Sequence, residues 1–284
     1  MAISAQLVKE LREKTGAGMM DCQRALSEAN GDLDEAVKVL RKKGLSAAAK
    51  KAGRTAKDGL VAIAVSGDRK KGGMVELNCE TDFVARTEKY QEFAQLLAGQ
   101  VMESGEGDVE KVKAAKAKAD PAHTVAEAIA SQIATIGENI LLSRVAAVTA
   151  AADMQVASYL HMGGKIGVLV ELSAVADEET VKDVAMHIAA AEPRFVTRDD
   201  VPAAVVEEER EIARGQAAGS GKPPQVIEKI VDGKIGKFFE LVCLVEQPFV
   251  KNPEQKVGDL LKARGGVTVR GFARFRLGEG VAAE

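Results

Sequence analysis

A strand–turn–strand–helix pattern occurs twice in this 284-residue chain, and it constrains the fold more than any other feature. In the first copy, the apolar runs LVAIAV (60–65) and MVELN (74–78) flank a turn rich in glycine and lysine, and a helix follows. In the second copy, VASYLHMGGKIGVLVELS (156–173) gives two strands around a glycine turn before the helical segment 179–191. Strand-forming runs around a short glycine-containing connection are typical of β-hairpins. The pattern predicts an internal duplication of one α+β unit.

The two copies share the tripeptide VEL, but they differ in length. Phe93 in the helix of the first copy comes 18 residues after Val75, whereas Val184 comes 14 residues after Val170. The difference corresponds to about one turn of α-helix. It falls near TDFV (81–84), so the sequence predicts that the first copy contains an excursion at this tetrapeptide.

The first 44 residues have the pattern of three short helices. Asp32 followed by Glu35 fits a capping box at the start of the third helix. The run RKKGLSAAAKKAGRTAK (41–57) contains basic residues and no acidic ones. Such a run is more often a solvated helix end and linker than a binding site. We therefore expect a small helical module on a basic linker, which either docks independently or caps the main body.

Residues 199–232 contain two helical patterns around the breaker GSGKPP (219–224). Each pattern has a narrow apolar stripe and many charges, which is typical of an antiparallel helical hairpin that projects from the body. Its functional interpretation is an assembly arm that could join two copies in a dimer. The alternative is an ordinary internal helix pair. Strands are expected again at 237–249 and 271–279, with a helix at 257–264 between them.

The predicted fold class is α+β, and the chain divides into four parts. They are an N-terminal helical module with its basic linker (1–54), a first core subdomain (55–152), a second core subdomain (153–198 and 233–284), and the inserted helical hairpin (199–232).

The sequence lacks the usual motifs for catalysis and cofactor binding. The three histidines have no Cys or His at ligand spacing, and the three cysteines form no CxxC pair. Neither a GxxxxGK[ST] phosphate loop, a GxGxxG motif after a strand, nor a GxSxG nucleophile elbow occurs. We therefore expect no catalytic residue, no metal and no cofactor, and we expect the protein to act by binding.

Composition narrows the class of partner. The formal net charge of −3 gives no general attraction to nucleic acid. No run approaches the roughly 20 apolar residues that span a bilayer, and the N-terminus lacks the apolar block of a secretory signal. The three cysteines are far apart in the sequence, which predicts reduced thiols rather than a set of disulfides. We expect a cytoplasmic protein that binds another protein, without direct contact to membrane or nucleic acid.

The stretch ETDFVARTEKY (80–90) raises the question of which way Phe83 points. Thr81 is a good N-cap for a helix that starts there. If one helix continues from it, Phe83, Tyr90 and Leu97 repeat every seven residues and can all pack inward. If the extra turn is an excursion, Phe83 is exposed, and an exposed aromatic ring is the kind of anchor that fills a partner's pocket. Both alternatives remain open at this point.

Several segments closely resemble the bacterial translation elongation factor Ts family, and the resemblance extends across nearly all of the chain. The segments that carry it include TGAGMMDC (15–22), ETDFVAR (80–86), IGENI (136–140), SGKPP (220–224) and QPFVKNP (247–253). The resemblance implies a guanine nucleotide exchange factor that binds the GDP-bound form of the GTPase elongation factor Tu. It would promote GDP release and so allow GTP reloading during translation elongation.

The same resemblance implies a fold and a set of contact residues. The fold is a three-helix module like a ubiquitin-associated domain, a core of two related α+β subdomains, and an inserted helical hairpin. Thr81, Asp82, Phe83 and Val84 would form a tip that enters the GTPase domain, where Asp82 and Phe83 disrupt the contacts that hold Mg²⁺ and phosphate. Further contacts would come from three other places in the chain, namely His161, Met162, Gly163 and Gly164, then Met19 and Met20, then Ile136 and Gly137.

Two other function classes stay open. An adaptor for a ubiquitin-like protein or an RNA would bind its ligand through residues 1–57 alone. An unrecognised enzyme would turn over a substrate without any partner.

Overall fold

The computed structural model describes residues 3–218 and 223–279, and it has mixed α+β architecture with small antiparallel sheets. Residues 219–222 lie outside the described residues, and so do residues 1–2 and 280–284. Most of the predicted breaker GSGKPP and of the SGKPP segment, and the last residues of the predicted second subdomain, therefore fall outside the described part of the chain.

The first α+β unit follows an N-terminal group of three helices. The helices are α1 (Ala5–Thr15), α2 (Met19–Glu28) and α3 (Leu33–Lys51). The unit itself comprises β1 (Asp58–Val65), β2 (Lys71–Cys79), α4 (Asp82–Ala85), α5 (Glu88–Ser104), α6 (Val109–Ala114), β3 (Lys116–Ala117), β4 (Asp120–Thr124), α7 (Val125–Ile136) and β5 (Ile140–Thr149).

The second unit repeats this order with two long helices added. It comprises β6 (Met154–His161), β7 (Ile166–Ser173), α8 (Glu178–Ala191), α9 (Ala203–Ala218), α10 (Pro224–Val242), β8 (Pro248–Phe249), β9 (Asn252–Lys256), α11 (Val257–Ala263) and β10 (Val269–Arg276). Three strands form an antiparallel sheet in each unit, in the order β1-β2-β5 in the first and β6-β7-β10 in the second.

Each sheet buries one face under its own helices and the other face against the other sheet. Tyr90 and Leu97 of α5 lie in the core of the first unit, and Val184 and Ile188 of α8 lie in that of the second. Between the sheets lies a smaller apolar cluster from both units, formed by Val61, Ile63, Met74, Val156, Leu169 and Phe275.

The two sheets exchange backbone hydrogen bonds reciprocally. The Val61 N–H donates to the Gly164 carbonyl at 2.8 Å, and the Val156 N–H donates to the Arg69 carbonyl at 2.7 Å. Val156 lies 95 residues after Val61, and Gly164 lies 95 residues after Arg69. Equivalent residues of the two units therefore make equivalent contacts, as expected for duplicated units related by an approximate two-fold axis.

Two buried carboxylates repeat this exchange between the units. Glu76 on β2 accepts the Gly278 N–H at 2.8 Å, just after β10. Glu171 on β7 accepts the Ala151 N–H at 3.0 Å, just after β5. Both glutamates are the middle residue of a VEL tripeptide, so the shared motif of the sequence marks the contact between the units.

Helix α4 accounts for the difference in length between the copies. Residues 80–87 separate β2 from α5, whereas only residues 174–177 separate β7 from α8. The four residues of α4, Asp82–Ala85, supply the difference. The predicted excursion of about one turn near TDFV is present.

The strand predicted at 237–249 is wrong over most of its length. Helix α10 continues to Val242, beyond the boundary that the sequence placed at residue 232. Aromatic and β-branched residues favour strands, but Phe238 and Val242 are one helical turn apart and pack in a cluster with Phe195 and Val201. Tertiary packing therefore outweighs local propensity here.

The predicted basic linker is also largely helical. Helix α3 continues to Lys51, and its Gly44 is buried against the Ala130 carbonyl of α7. Arg41 forms an ion pair with Glu127 at the start of α7. Only residues 52–57 lie between α3 and β1, so the N-terminal helices reach the core along α7.

Two smaller expectations concern the first unit. The Ala/Lys/Glu-rich segment 103–120 predicts a loose helix or surface loop, and the structure has helix α6 and strand β3 there. Helical spacing predicts Leu96 on the same side of α5 as Tyr90 and Leu97, but Leu96 is exposed. Within residues 3–218 and 223–279, no helix has the length and apolarity needed to cross a bilayer.

The close approach of the sheets predicts that two glycines resist substitution. A Cβ atom at Gly167 would lie 2.5 Å from Val61 Cγ1, and one at Gly72 would lie 2.7 Å from Val156 Cγ1. Gly72→Ala and Gly167→Ala should each lower the free energy of unfolding by about 1–3 kcal/mol, since overpacking displaces neighbours. Denaturant unfolding measures this effect.

The control is Gly233→Ala on the exposed side of α10, where a Cβ meets no atom within 4 Å. It should be neutral or stabilise by up to about 1 kcal/mol, because alanine has the higher helix propensity. Equal unfolding free energies for all three variants would contradict a tight contact between the sheets.

Candidate protein-binding site

Helix α4 is a single turn capped at both ends by hydroxyl side chains. Thr81 Oγ1 accepts the Val84 N–H at 3.5 Å, so Thr81 is the N-cap that the sequence predicts. Thr87 Oγ1 donates to the Val84 carbonyl at 2.8 Å at the other end. We call residues 81–84 the tip.

Phe83 points into solvent with 79% of its surface exposed. Tyr90 and Leu97 are buried, as the seven-residue spacing suggests. The inward alternative fails for Phe83 because α4 ends at Ala85 and α5 starts only at Glu88, so the spacing does not continue through one helix.

The other residues of the tip have different surroundings. Asp82 forms an ion pair with Arg86 at 2.7 Å, one turn along, and remains partly exposed. Val84 packs against the core of the first unit, and the adjacent Ala85 is buried in it. The turn is therefore apolar on its inner side and presents a ring and a carboxylate on its outer side.

A carboxylate from another element holds the start of the tip. Glu138 Oε2 accepts the Glu80 N–H at 3.1 Å and the Thr81 N–H at 3.0 Å, and its Oε1 accepts the Thr81 hydroxyl at 2.6 Å. Glu138 is in the loop between α7 and β5. Three hydrogen bonds thus join this loop to the first residues of the tip.

A second carboxylate makes the reverse connection. Glu80 accepts the Asn139 N–H at 2.7 Å and pairs with Arg54 at 3.3 Å. Asn139 Nδ2 donates to the Arg54 carbonyl at 2.8 Å. The Asn139 N–H, with Arg54 as the next favourable partner, lowers the pKa of Glu80 below its ordinary value.

Sequence reasoning missed Glu138 and Arg54 as partners of the tip. Glu138 lies 57 residues after Thr81, and no periodicity relates the two. What joins them is strand register, because Cys79 at the end of β2 pairs with Ile140 at the start of β5. Only a prediction of β2–β5 pairing could have placed IGENI beside ETDF.

The glycine turn at 161–164 joins β6 to β7 and is fixed on the first unit. Met162 has a positive φ of 50° and is 71% exposed. The Gly164 carbonyl accepts a hydrogen bond from the Val61 N–H. Gly164 has a φ of 91°, and a Cβ atom on it would lie 3.1 Å from the Val61 carbonyl oxygen. His161 Nδ1 lies 3.1 Å from the Tyr159 hydroxyl. The turn therefore presents Met162 from a constrained backbone.

The glycine turn lies near the same end of β1 as the tip. Lys165, directly after the turn, forms an ion pair with Asp58 at 3.4 Å. Asp58 begins β1 and pairs with Cys79, two residues before Thr81. The segments that carry the exposed Phe83 and Met162, which belong to different units, are thus both connected to the first residue of β1.

The remaining predicted contact residues have mixed placement. Met19 and Met20 are exposed at the start of α2, which packs on α1 and α3. Gly137 is exposed and ends α7 with φ 88°, which directs the chain toward Glu138. Ile136 is partly buried against the core of the first unit, so most of its packing is internal.

Three buried reactive groups have shifted pKa values, and one of them contacts the tip, because the Cys79 thiol donates to the Thr81 carbonyl at 3.1 Å. Burial raises the pKa of the Cys79 and Cys243 thiols to about 11 and lowers the pKa of the His187 imidazole. Among the described residues, no group of three or more His, Cys, Asp or Glu side chains is arranged to hold a metal ion.

A known protein family matches most of this chain. The model of the family described as Elongation factor TS matches residues 80–279, which are 200 of the 284 residues. The matched region begins at Glu80, the first residue of ETDFV, and includes the tip, the Glu138 loop, the glycine turn and both long helices.

The depressed pKa of Glu80 predicts a pH-dependent contribution to stability. Because its pKa is lowered from 4.5 in the folded protein, the charged form stabilises the fold above that pH. The contribution should be lost as the pH falls through the folded-state pKa. Glu80→Gln should therefore destabilise the protein at neutral pH and have a progressively smaller effect below pH 4.5, as measured by urea unfolding across the pH range.

Arg54→Ala provides the internal comparison. It should raise the pKa of Glu80 only partly, because the Asn139 N–H remains the larger cause of the shift. A Glu80→Gln effect that does not change with pH would contradict the assigned hydrogen bonds.

Proposed function

The chain belongs to the elongation factor Ts family, whose members are exchange factors for the GTPase elongation factor Tu rather than enzymes in the usual sense, and we propose that its tip opens the nucleotide site of that GTPase. In this proposal the protein binds the GDP-bound GTPase in the cytoplasm, promotes GDP release, and allows GTP to bind for the next round of translation elongation.

The exposure of Phe83 is the single observation that carries the proposal. Exposed phenylalanines are uncommon, and this one stands on a turn whose two ends are capped and whose inner side is packed. Burying it in a partner contributes roughly 1.5–3 kcal/mol. Since about 1.4 kcal/mol corresponds to a factor of ten in an equilibrium constant, the ring alone can shift nucleotide affinity by about tenfold to a hundredfold.

The mechanism needs no catalytic group on this chain. A GTPase holds GDP through backbone amides around the phosphates and through Mg²⁺. A tip that binds best when those contacts are displaced lowers nucleotide affinity, and nucleotide lowers the affinity for the tip by the same factor. Phe83 supplies apolar burial, and Asp82 supplies a charge that can exchange its Arg86 partner for a group of the GTPase.

Other parts of the chain are proposed to hold the partner rather than to open it. The glycine turn provides the second contact, because its Met162 is exposed near the same end of β1 as the tip. We also assign docking to the remaining residues of the predicted set, which are His161, Gly163, Gly164, Met19, Met20, Ile136 and Gly137. Helices α1–α3 would form the ubiquitin-associated-like module.

Helices α9 and α10 are proposed to form the assembly arm. They contact each other through Ala213, Val231 and Ile235, and ion pairs join Arg210 to Asp232 and Arg214 to Glu228. The pairing order runs in opposite directions along the two helices, as in an antiparallel hairpin. Ile212 and Val226 remain exposed on the pair, which offers an apolar surface for a second copy.

Phe83→Ala should separate stability from function. The free energy of unfolding should change by no more than about 0.5 kcal/mol, because the side chain is exposed. Release of fluorescent GDP from elongation factor Tu should slow by at least about tenfold at a given factor concentration, because the apolar anchor is lost. Asp82→Ala should also leave the fold intact and slow release.

Leu96→Ala is the matched control, since Leu96 is an exposed apolar residue on α5, outside the tip. Its exchange rate should match that of the wild type. A Phe83→Ala variant that is destabilised yet exchanges normally when folded would refute the proposed role of the tip. Turnover of a substrate by the chain alone, or ligand capture by residues 1–57 alone, would favour the enzyme or adaptor class.

Shortening the assembly arm should spare exchange. Replacing residues 210–232 with a short Gly/Ser turn removes the distal part of both helices but keeps Val206 and Phe239, which pack near the body. We expect cooperative unfolding and a near wild-type rate of single-turnover GDP release. Loss of the folded state would show that the helices belong to the core, and sedimentation would report whether dimers disappear.

A further inference from the structure

We propose that Glu138 is the positioning residue of the tip, which fixes the orientation of α4 so that Phe83 meets the GTPase in one geometry. This inference rests on the proposed function. It adds a residue that acts through the tip and does not itself contact the partner. It is carried by the three hydrogen bonds that the half-buried Glu138 carboxylate accepts from Glu80 and Thr81.

Helix α4 cannot hold its own orientation. It contains four residues, and a helix of this length is far below the length at which helices are stable alone in water. Its position must therefore come from outside contacts. Val84 and Ala85 provide non-directional apolar packing on the inner side. Directional contacts at its start come from Glu138, which accepts three hydrogen bonds, and from the Cys79 thiol, which donates to the Thr81 carbonyl at 3.1 Å.

The Glu138 carboxylate also sets the direction of the Thr81 hydroxyl. A hydroxyl has one proton to donate and lone pairs that accept. Thr81 Oγ1 donates its proton to Glu138 Oε1, which leaves a lone pair for the Val84 N–H. The N-cap and the carboxylate therefore form one connected network, in which loss of the carboxylate frees both the entering backbone and the cap.

The Glu138 loop is itself fixed to the body. Gly137 ends α7 in the left-handed conformation, and the Asn139 side chain donates to the Arg54 carbonyl. The bond from the Thr81 hydroxyl to Glu138, at 2.6 Å, has the short length of a charge-assisted hydrogen bond, which is stronger than a neutral one. The tip is thus tied to α7, a long element of the first unit, through a short loop.

Loss of this anchor should reduce opening of the GTPase more than docking to it. In Glu138→Ala the backbone of the tip can adopt several orientations, and only a fraction is competent to insert Phe83. If that fraction falls to about one tenth, the saturated rate of GDP release falls about tenfold. The factor concentration for half-maximal release should change less, since the glycine turn and the N-terminal helices still bind.

The experiment measures fluorescent-GDP release against the concentration of full-length factor for four single variants and one double variant. Glu138→Gln is the conservative variant, because its amide oxygen can still accept the two backbone N–H groups and its NH₂ can donate to Thr81 Oγ1. Glu127→Ala is the matched control, since Glu127 caps the opposite end of α7 and pairs with Arg41. Phe83→Ala and Glu138→Ala/Phe83→Ala complete the set.

We expect Glu138→Ala to lower the saturated rate about tenfold, Glu138→Gln to retain most of it, and Glu127→Ala to leave it unchanged. Adding Glu138→Ala to Phe83→Ala should have little further effect, because one acts through the other. Amide hydrogen exchange should accelerate at least tenfold at Glu80 and Thr81 in Glu138→Ala, with the core amides unchanged.

A saturated rate for Glu138→Ala equal to that of the wild type would overturn the inference. So would a double variant whose two losses multiply, because a purely structural effect adds to the loss of the ring. If Phe83→Ala itself exchanges normally, the proposed function fails instead, whatever Glu138→Ala does. Glu138→Ala could also accelerate amide exchange at Glu80 and Thr81 while the saturated rate of GDP release stays at the wild-type value. Glu138 would then anchor the backbone without positioning the Phe83 ring, and the inference would be contradicted.

Discussion

The reciprocal contact between the two sheets is the constraint on which the rest of the structure depends. Stacked sheets normally lie about 10 Å apart, with side chains between them. Here Gly72 and Gly167 remove side chains where the sheets come closest, and backbone hydrogen bonds cross from one unit to the other. Glu76 and Glu171 each accept a backbone N–H from the opposite unit, in addition to an ion pair within their own unit, with Arg144 and Arg270 respectively. Since a buried carboxylate needs hydrogen-bond partners, these N–H groups make the opposite unit part of each carboxylate's environment.

The approximate two-fold axis explains why one region of the surface differs from its counterpart. Symmetry places the glycine turn of the second unit beside the start of β1, near the tip. The corresponding turn of the first unit lies beside the start of α8, where Arg69 pairs with Glu178. That second region has only a short loop with an exposed Val175 in place of α4. The four added residues of α4 in one copy therefore distinguish the tip from its counterpart.

The sequence predicted the elements that depend on local residue patterns, and it missed those that depend on packing between residues distant in sequence. Alternation and glycine turns located β1, β2, β6 and β7, and the length difference between the copies located α4. The end of α10 and the helical course of the basic run were missed, since Val242 and Gly44 are helical through contacts with residues distant in sequence. Heptad spacing correctly placed Tyr90 in the core, but it could not decide the direction of Phe83, because the break between the helices was not visible. The partnership of Glu138 with Thr81 depends on strand register alone.

The division between tip and docking surfaces follows from what exchange requires. A contact that the factor makes equally with the nucleotide-bound and nucleotide-free GTPase raises affinity but moves no nucleotide. Only contacts that differ between those two states drive release, and reciprocity limits the effect to the size of that difference. Burial of one phenylalanine contributes roughly 1.5–3 kcal/mol, which is enough to shift nucleotide affinity but too little to hold a complex together. Separate docking surfaces are therefore needed. Any part of the energy of Phe83 that went into ordering α4 would be lost from that difference. A tip that is ordered before it binds, through a carboxylate of its own body, keeps the whole of that energy for the change in the partner.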